Sequence, residues 1–449
     1  MSNAEMTAQP VSPLEWDQPD FRVNPFPVYR RLRDLHPIYH DHYHNRWVIS
    51  RYEDIVEAFG DDETWQRGAY DPDGEYPFGS QSPFGDTLIE YGSHAKKWQW
   101  ERGLIASSFV GRPLRQRLPV VEQITAEVVA QISDRVAKEM AEGIAQQGEV
   151  ELITEFCAQF PVRVVTGILG IPREDEQQFV EWYRAIMAGG AAAAGGAVSN
   201  ISEKYVQEGI AARKALADYL EPIYEERKRD TSGEDLITRL INTEYENRTM
   251  TLYELQSLIA LLISAGGDTT ECLTGSMWWH LLNRPDQFEE VKRDPDLFDR
   301  AFVESMRYDP PLHAPPPRFT RREVTVHGQV LPVGAQTIFM VGSGNRDERV
   351  FSDPDDFNIF REDLYMGREL RTGYHKNGQA SHLGFGLNSH FCMGYAVARA
   401  ESVIASKQLL KAMSNVRLKP GVENEGVCSP ANKGGFRAPQ RLDLVFDPQ

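Results

Sequence analysis

The sequence predicts a mainly helical protein with a smaller β-rich part, and three observations support this fold class. Apolar residues recur with helical spacing over most of the chain. The longest of these stretches is apolar on nearly every side at its middle, residues 258–265, which is typical of a helix buried all round. Between residues 319 and 339 the apolar spacing changes to two, which predicts a small sheet.

The other elements follow in chain order. We expect a helix over 25–35, a hairpin over 38–50 that turns near Asn45, a long loop over 65–86, helices over 98–109, 123–146 and 172–187, an alanine- and glycine-rich connection over 188–198, and further helices over 202–229 and from Met393. Thr251 and Glu254 have capping-box spacing, so the long buried helix should begin there and end before Pro285. We expect a polar tail over 1–23 and one domain over 24–449.

Composition excludes several classes of protein. The net charge of −18 repels nucleic acid and anionic membranes, so neither is an expected partner. The four cysteines form no CxxC pair, which disfavours a disulfide framework or a four-cysteine metal cluster. The sequence shows neither a signal peptide nor an apolar stretch of about 18 residues that would span a bilayer. We therefore expect a cytoplasmic protein without a membrane anchor.

The first motif with chemical content is FGLNSHFCMG, residues 385–394, directly before a predicted helix. A cysteine at a helix N-terminus meets backbone N–H groups and the positive end of the helix dipole, and both stabilise a thiolate. Gly386 and Gly394 let the backbone approach a flat partner closely. Taken alone, Cys392 could also be a small core residue.

The second motif is AGGDTT, residues 265–270, in the middle of the long helix. Gly266 and Gly267 cost about 2 kcal/mol relative to alanine there, so something must need the space or a local distortion. Asp268 and Thr269 in such a distortion can order water and deliver protons. A kink that serves only helix packing is the alternative.

The third motif, Glu304-Ser-Met-Arg307, has the spacing of a helical ion pair and is uninformative alone. In this order and spacing, the three motifs resemble the cytochrome P-450 family, haem-thiolate monooxygenases of the soluble bacterial kind. The resemblance extends from about residue 24 to 444, and it includes Asn345-Arg346-Asp347, the segment 351–357 and Arg361.

The resemblance implies a long buried helix over a haem b and a role for each of the following residues. Cys392 would be the iron ligand, and the residues beside the haem would be Phe385, Gly386, Gly394 and Ala265. The haem propionates would be bound by Trp98, Arg102, Arg318 and His390. Asp268 would relay protons and Thr269 would orient them, while Glu304, Arg307 and Arg361 would stabilise the fold. His94 is an alternative to Trp98. Asn388 stands where the family usually has a glycine, and because asparagine tolerates positive φ, we expect the turn to survive.

The implied reaction inserts one oxygen atom from O2 into a lipophilic or aromatic small molecule, by hydroxylation, dealkylation or oxidative coupling. Because little sequence follows Cys392, we expect electrons from a separate ferredoxin and its reductase. Candidate basic contacts are Lys96, Lys97, Arg399 and Lys411. The substrate pocket should lie between residues 65–86, 188–198, 261–266 and 313–317.

Two other functions remain open at this point. A peroxide-driven peroxygenase would not require the distal acid and alcohol, Asp268 and Thr269. A haem-thiolate sensor without turnover would explain Cys392 but would leave that pair without a role.

Overall fold

The computed structural model describes residues 19–67, 87–194, 200–233, 235–244, 247–429 and 436–448. These residues form a large helical body with small sheets, as predicted. The helices are α1 (Pro19–Val23), α2 (Phe26–Leu35), α3 (Tyr52–Gly60), α4 (Lys96–Ala106), α5 (Gly111–Ala141), α6 (Phe160–Leu169), α7 (Glu176–Ala194), α8 (Asn200–Arg229), α9 (Leu236–Asn242), α10 (Leu252–Leu282), α11 (Pro285–Arg293), α12 (Phe298–Tyr308), α13 (Val341–Gly344) and α14 (Tyr395–Ala412). In these ranges, no helix is long and apolar enough to cross a membrane.

The strands are short and lie at the edges of this body. They are β1 (Ile38–Asp41), β2 (Arg46–Ile49), β3 (Trp65–Gln66), β4 (Gly148–Glu151), β5 (Arg318–Thr320), β6 (Val324–Val326), β7 (Gln329–Leu331), β8 (Gln336–Phe339), β9 (Met413–Leu418), β10 (Glu425–Cys428), β11 (Ala438–Arg441) and β12 (Asp443–Pro448). The largest sheet has the order β1-β2-β8-β5-β3, in which β2 and β8 are parallel and place Val48 opposite Ile338. The order β4-β12-β9 forms a second sheet, and β10-β11 and β6-β7 are antiparallel pairs. The predicted hairpin is present and turns at Asn45, whose φ is 48°.

The central helix α10 begins and ends where the capping rules predict. The Thr251 hydroxyl accepts the Glu254 N–H at 3.2 Å, and the Glu254 carboxylate accepts the Thr251 N–H at 2.9 Å, so both halves of the capping box form. The helix ends at Leu282, shortly before Pro285. Its 31 residues span roughly 45 Å and are buried along most of their length.

Glu254 also joins the central helix to α4. Its carboxylate accepts Lys97 Nζ at 2.8 Å and a guanidinium N–H of Arg248 at 2.9 Å, and Lys97 lies 3.3 Å from Glu101 of its own helix. Burial raises the pKa of Glu254, but hydrogen bonds from Arg248, Lys97 and Thr251 outweigh it and lower that pKa to about 2. The carboxylate therefore stays ionised in this network.

Two of the three glycines of the central helix, Gly266 and Gly267, serve packing. A Cβ at Gly266 would collide with the Val165 side chain, and a Cβ at Gly267 would lie 2.9 Å from Val162 Cγ2. Both valines belong to α6, so the missing side chains let α6 approach the central helix closely. The helix is continuous through this point. The sequence left open whether the glycines provide space or a local distortion of the helix. The structure shows that they provide space.

Several predicted boundaries differ from the structure. The alanine-rich part of 188–198 continues α7 as far as Ala194, because alanine is the best helix former; residues 195–199 lie outside the described ranges. Of the predicted 65–86 loop, residues 65–67 are described, and 68–86 lie outside the described ranges. The last residues of the expected tail form α1, and Arg437 donates to the carbonyls of Arg22 and Val23.

A buried arginine organises the turns after α13. Arg307 is fully buried and donates to both Glu304 oxygens, at 2.7 and 2.8 Å, in the fork geometry of a bidentate pair. It also donates to the carbonyls of Asn345, Pro354 and Asp356. The third predicted member, Arg361, joins this group through the shared Asp356 carbonyl and pairs with Asp363 at 2.9 Å.

We predict that Arg307→Lys lowers the free energy of unfolding in urea by about 3 kcal/mol. A lysine ammonium cannot reproduce the forked donors, so Glu304 and several buried carbonyls lose hydrogen bonds. The control is Arg293→Lys, in an exposed pair with Glu290, which should leave the stability unchanged within error. Equal effects of the two substitutions would contradict a special role for the buried pair.

Candidate active site

Residues 383–394, which we call the cysteine loop, are held in a fixed backbone shape. The Cys392 N–H donates to the Phe385 carbonyl at 2.9 Å. Gly386 and Asn388 both have left-handed backbones, with φ of 68° and 57°. The Asn388 side chain donates to the Phe59 carbonyl at 2.9 Å, so the asparagine keeps the turn and adds a contact to α3.

Cys392 lines an internal cavity and is exposed at its wall. Burial raises the pKa of the thiol, while the N–H groups of Gly394 and Tyr395 at the start of α14 lower it. Two charges act in opposite directions: Glu369 raises this pKa and Arg102 lowers it. The sulfur thus has the helix-start setting that the sequence predicts.

The cavity lies between the cysteine loop and the central helix. It has two lobes of about 220 and 270 Å³, which share Cys392, Phe385 and Thr269 on their walls, and their size suits a small-molecule site. The first lobe is mostly apolar, and its walls include Leu88, Phe109, Val165, Ile168, Leu261 and Leu262. Of the predicted pocket segments, 261–266 and 313–317 contribute wall residues.

One end of the cavity is strongly cationic. Arg318 and His390 both line it, with Arg67 beside them. Burial and the neighbouring Arg67 lower the pKa of Arg318 to about 9, and burial with Arg318, Arg67 and Arg102 lowers that of His390 to about 2. The His390 Nε2 is buried without a hydrogen-bond partner among the described residues. Such a cluster fits carboxylates of a ligand.

Trp98 and Arg102 of α4 complete this end. The Trp98 ring lies 5.1 Å from the His390 ring and 5.1 Å from the Arg102 guanidinium. Arg102 donates to the Phe391 carbonyl at 2.7 Å, which ties α4 to the cysteine loop. His94, the alternative to Trp98, is exposed and acts on His390 through its charge.

The central helix contributes Ala265 and Thr269 to the walls of the cavity that Cys392 also lines. The Thr269 hydroxyl donates to the Ala265 carbonyl at 2.6 Å, so its oxygen keeps acceptor capacity toward the cavity. Asp268 lies beside the buried Tyr183 hydroxyl of α7; burial and then the Asp268 charge raise the pKa of Tyr183 well above its ordinary value. The acid and the alcohol therefore contact different neighbours.

One carboxyl group on the cavity wall, that of Glu401, was not predicted from the sequence, whereas the predicted acid, Asp268, is not among the described residues that line either lobe. Glu401 of α14 is buried, and its Oε1 accepts the Thr270 hydroxyl at 3.0 Å. Its Oε2 has no hydrogen-bond partner in the described ranges. Burial raises the pKa of Glu401 to about 8, since the single hydrogen bond from Thr270 does not offset it, so the group is protonated at neutral pH.

The sequence does contain a signal for Glu401. It lies four residues after Val397 and three before Ile404, on the apolar stripe of α14, and an acid on such a stripe indicates a buried carboxyl group. Arg67 was not predicted individually, but it belongs to the 65–86 segment that the sequence analysis placed at the pocket, and it lines the second lobe.

Comparison with known proteins gives one consistent family. The cytochrome P-450 family profile matches residues 36–425. Pulcherriminic acid synthase of Bacillus subtilis is 28% identical over 95% of this chain and 96% of its own, and the cyclomarin C epoxidase CymV of Salinispora arenicola is 27% identical over 93% and 94%. The substrate-free crystal structure of CYP109E1 from Bacillus megaterium is 25% identical, covers 95% of this chain and all of its own, and superposes with a TM-score of 0.77.

The chain belongs to the cytochrome P-450 family of oxidoreductases. The family implies a haem-thiolate cofactor, and the cavity fits one. Cys392 supplies a thiol enclosed by N–H donors, and the cationic end supplies partners for two propionates, including the unpaired His390 nitrogen. Most predicted site residues therefore surround one cavity, while Glu304, Arg307 and Arg361 lie in the core beside it.

We predict that Glu401→Gln removes a pH dependence of stability. The pKa is about 8 in the folded protein against 4.5 in the reference state, so the fold binds the proton more tightly and wild-type stability falls as the pH rises from 4.5 to 8. Glutamine has no charged form. Relative to pH 5, the variant should therefore gain roughly 4 kcal/mol over the wild type at pH 8.5.

Urea unfolding at the two pH values measures this difference. The control Glu290→Gln, at an exposed helix position, should track the wild type at both. A Glu401→Gln curve parallel to the wild type would show that the buried carboxyl group does not titrate in this range.

Proposed function

We propose that the protein is a haem-thiolate monooxygenase that inserts one oxygen atom from O2 into a lipophilic small molecule. The observation that supports it most directly is that Cys392 and Thr269 both line one mostly apolar cavity. A sulfur that could bind iron and a hydroxyl that could direct protons are the two polar groups that such a reaction needs at the same site.

In this proposal, Cys392 holds the iron, and Arg318, His390, Arg102 and Trp98 hold the haem propionates. When bound, the haem supplies the binding and activation of O2, and the thiolate favours O–O cleavage by donating electron density. Phe385, whose ring lies 5.2 Å from that of Tyr395, would shield the sulfur.

The protein's own groups would manage protons on the distal side. The Thr269 hydroxyl donates its hydrogen bond to the Ala265 carbonyl. Its oxygen, Oγ1, can therefore accept a hydrogen bond and orient a water in the cavity. Asp268 would exchange protons with solvent from its position beside Tyr183. Glu401 is protonated at neutral pH and bonded to Thr270, so it offers a second proton store on the opposite side of the helix.

The lining favours a bulky apolar substrate. In addition to the walls of the first lobe, Met306, Leu312, Pro315 and Pro316 line the second, with few polar atoms besides the cationic end. The named relatives include an epoxidase that acts on cyclomarin C, and hydroxylation, epoxidation, dealkylation and oxidative coupling are all compatible with this site.

Electrons would come from a separate ferredoxin and its reductase. Among the four candidate contacts, Lys97 binds Glu254, and Arg399 binds Asp299 and the Tyr395 hydroxyl. Lys96 and Lys411 are exposed.

Two further exposed arginines lie next to the cysteine loop. The Arg368 guanidinium lies 4.5 Å from the Phe391 ring, and the Arg371 carbonyl accepts a hydrogen bond from Asn388 Nδ2. Exposed cations in a chain of net charge −18 suit an acidic donor.

We predict that Thr269→Ala uncouples the reaction without disturbing the site. Haem binding and substrate-induced spectral change should persist, while product per NAD(P)H falls several-fold and hydrogen peroxide appears instead, because no hydroxyl orients the proton donor. Thr269→Ser should retain coupling. Thr274→Ala, one turn further along and bonded to Ser402, is the matched control and should behave as the wild type. Full coupling in Thr269→Ala would remove the hydroxyl from the proton route.

The proposed function as a whole is tested by the reduced CO spectrum and by reconstitution. Thiolate ligation predicts a red-shifted Soret band that Cys392→His abolishes. Turnover should require NAD(P)H, a ferredoxin and its reductase, and should weaken with salt more in the wild type than in Arg368→Gln/Arg371→Gln. Turnover with peroxide alone would favour the peroxygenase, and a thiolate spectrum without any turnover would favour the sensor.

A further inference from the structure

One arginine side chain connects two walls of the cavity. The Arg67 Nε and Nη2 atoms donate to the Ile89 carbonyl at 3.0 and 2.7 Å, and Nη1 donates to the Pro317 carbonyl at 2.6 Å. Because the guanidinium is planar and rigid, these three hydrogen bonds fix the separation of the two carbonyls. The two carbonyls belong to segments that are far apart along the chain and that both line the cavity.

The first wall is the short turn Leu88–Glu90, which we call the 88–90 turn. Leu88 and Ile89 line the first lobe, and Ile89 also lines the second. Side chains from elsewhere hold the backbone of this turn, since Glu101 Oε2 accepts the Leu88 N–H at 2.7 Å and Arg67 donates to the Ile89 carbonyl. The position of the turn therefore depends on Glu101 at its start and on Arg67 at its middle.

The second wall is the proline segment, residues 313–317, of which two prolines line the second lobe. Its start is anchored by His313, whose Nε2 lies 2.8 Å from Asp309 Oδ1 and whose Nδ1 lies 2.9 Å from the Tyr29 hydroxyl. Its last three residues are all prolines, which have a fixed φ and make this wall stiff. The arginine holds the stiff segment at its last residue, Pro317.

The hydrogen bonds of Arg67 distinguish it from the other cations at this end of the cavity. Its charge acts on Arg318 and His390 and lowers the pKa of both. A charge acts from any orientation, whereas all three guanidinium nitrogens of Arg67 donate to two backbone carbonyls. This geometry is that of a link between two protein segments.

We propose that Arg67 is a positioning residue that determines substrate specificity: it holds the 88–90 turn against the proline segment and so sets the width of the second lobe. The substrates that it favours are rigid apolar molecules that contact both walls at once. The inference rests on the proposed function, because the spacing of the walls matters only if a substrate binds between them.

The test is a spectral titration of the haem-loaded protein with two azoles. Imidazole requires only the iron, whereas 4-phenylimidazole also places an apolar ring among the cavity walls. In Arg67→Lys the ammonium keeps the charge but cannot bridge both carbonyls. The Kd of 4-phenylimidazole should rise about tenfold, since a wall that is not preorganised must be ordered on binding. The Kd of imidazole should stay within about twofold of the wild-type value.

A second variant separates the hydrogen bonds from the stability of the fold. Arg67→Ala should also weaken the binding of 4-phenylimidazole, and guanidinium chloride at millimolar concentration should restore it, because the free cation fits the vacated space and donates to the same carbonyls. Potassium chloride at equal ionic strength should restore nothing. A general loss of structure would not respond to the guanidinium ion.

The matched control is Arg322→Lys. Arg322 donates to the Thr64 hydroxyl and lies 3.2 Å from the Asp61 carboxylate, and it is 70% exposed. It is not among the described residues that line either lobe. Both dissociation constants should equal those of the wild type in this variant.

A wild-type ratio of the two dissociation constants in Arg67→Lys overturns the inference, because the charge would then suffice. An equal rise for both azoles overturns it as well, as does a loss in Arg67→Ala that guanidinium does not reverse. Failure of both variants to hold haem would assign Arg67 to the cofactor and would also overturn it. The reduced CO spectrum of the wild type reports the haem-thiolate site by itself, so failure of the proposed function is distinguishable from failure of this inference.

Discussion

A thiolate lies inside a protein only where donors surround it, and the rest of this fold depends on meeting that constraint at Cys392. The left-handed turns at Gly386 and Asn388 bring the loop round so that the sulfur faces the start of α14. The donors there are backbone groups, so they impose no demand on neighbouring side chains. This leaves the cavity wall apolar, apart from the groups that protons and propionates require.

The elements that the sequence predicted correctly obey local rules. The capping box at Thr251 and Glu254, the turn at Asn45 and the helix-start position of Cys392 each depend on residues within a few positions of one another. The central helix was predictable for the same reason, because its apolar middle shows burial directly. Asn388 belongs here too, since its tolerance of positive φ is a property of the residue itself.

The contacts that could not be predicted from the sequence join residues that lie far apart along the chain. Glu401 meets Thr270 across 131 residues, and Lys97 meets Glu254 across 157, so neither the neutral acid nor the occupied lysine could be predicted from the surrounding sequence. The purpose of Gly266 was ambiguous for a similar reason. Only the approach of Val165 from another helix shows that the missing side chain makes room.

Glu254 has a mechanical consequence. The same carboxylate caps the central helix and binds Lys97 on α4, the helix that carries Trp98 and Arg102. The central helix therefore cannot slide along its axis without breaking either its own first turn or its link to α4. One side chain thus sets the register between two helices that line the site, and with a pKa of about 2 it is ionised at neutral pH and can maintain that register. A redesign of the cavity that lengthens either helix would have to move this carboxylate first.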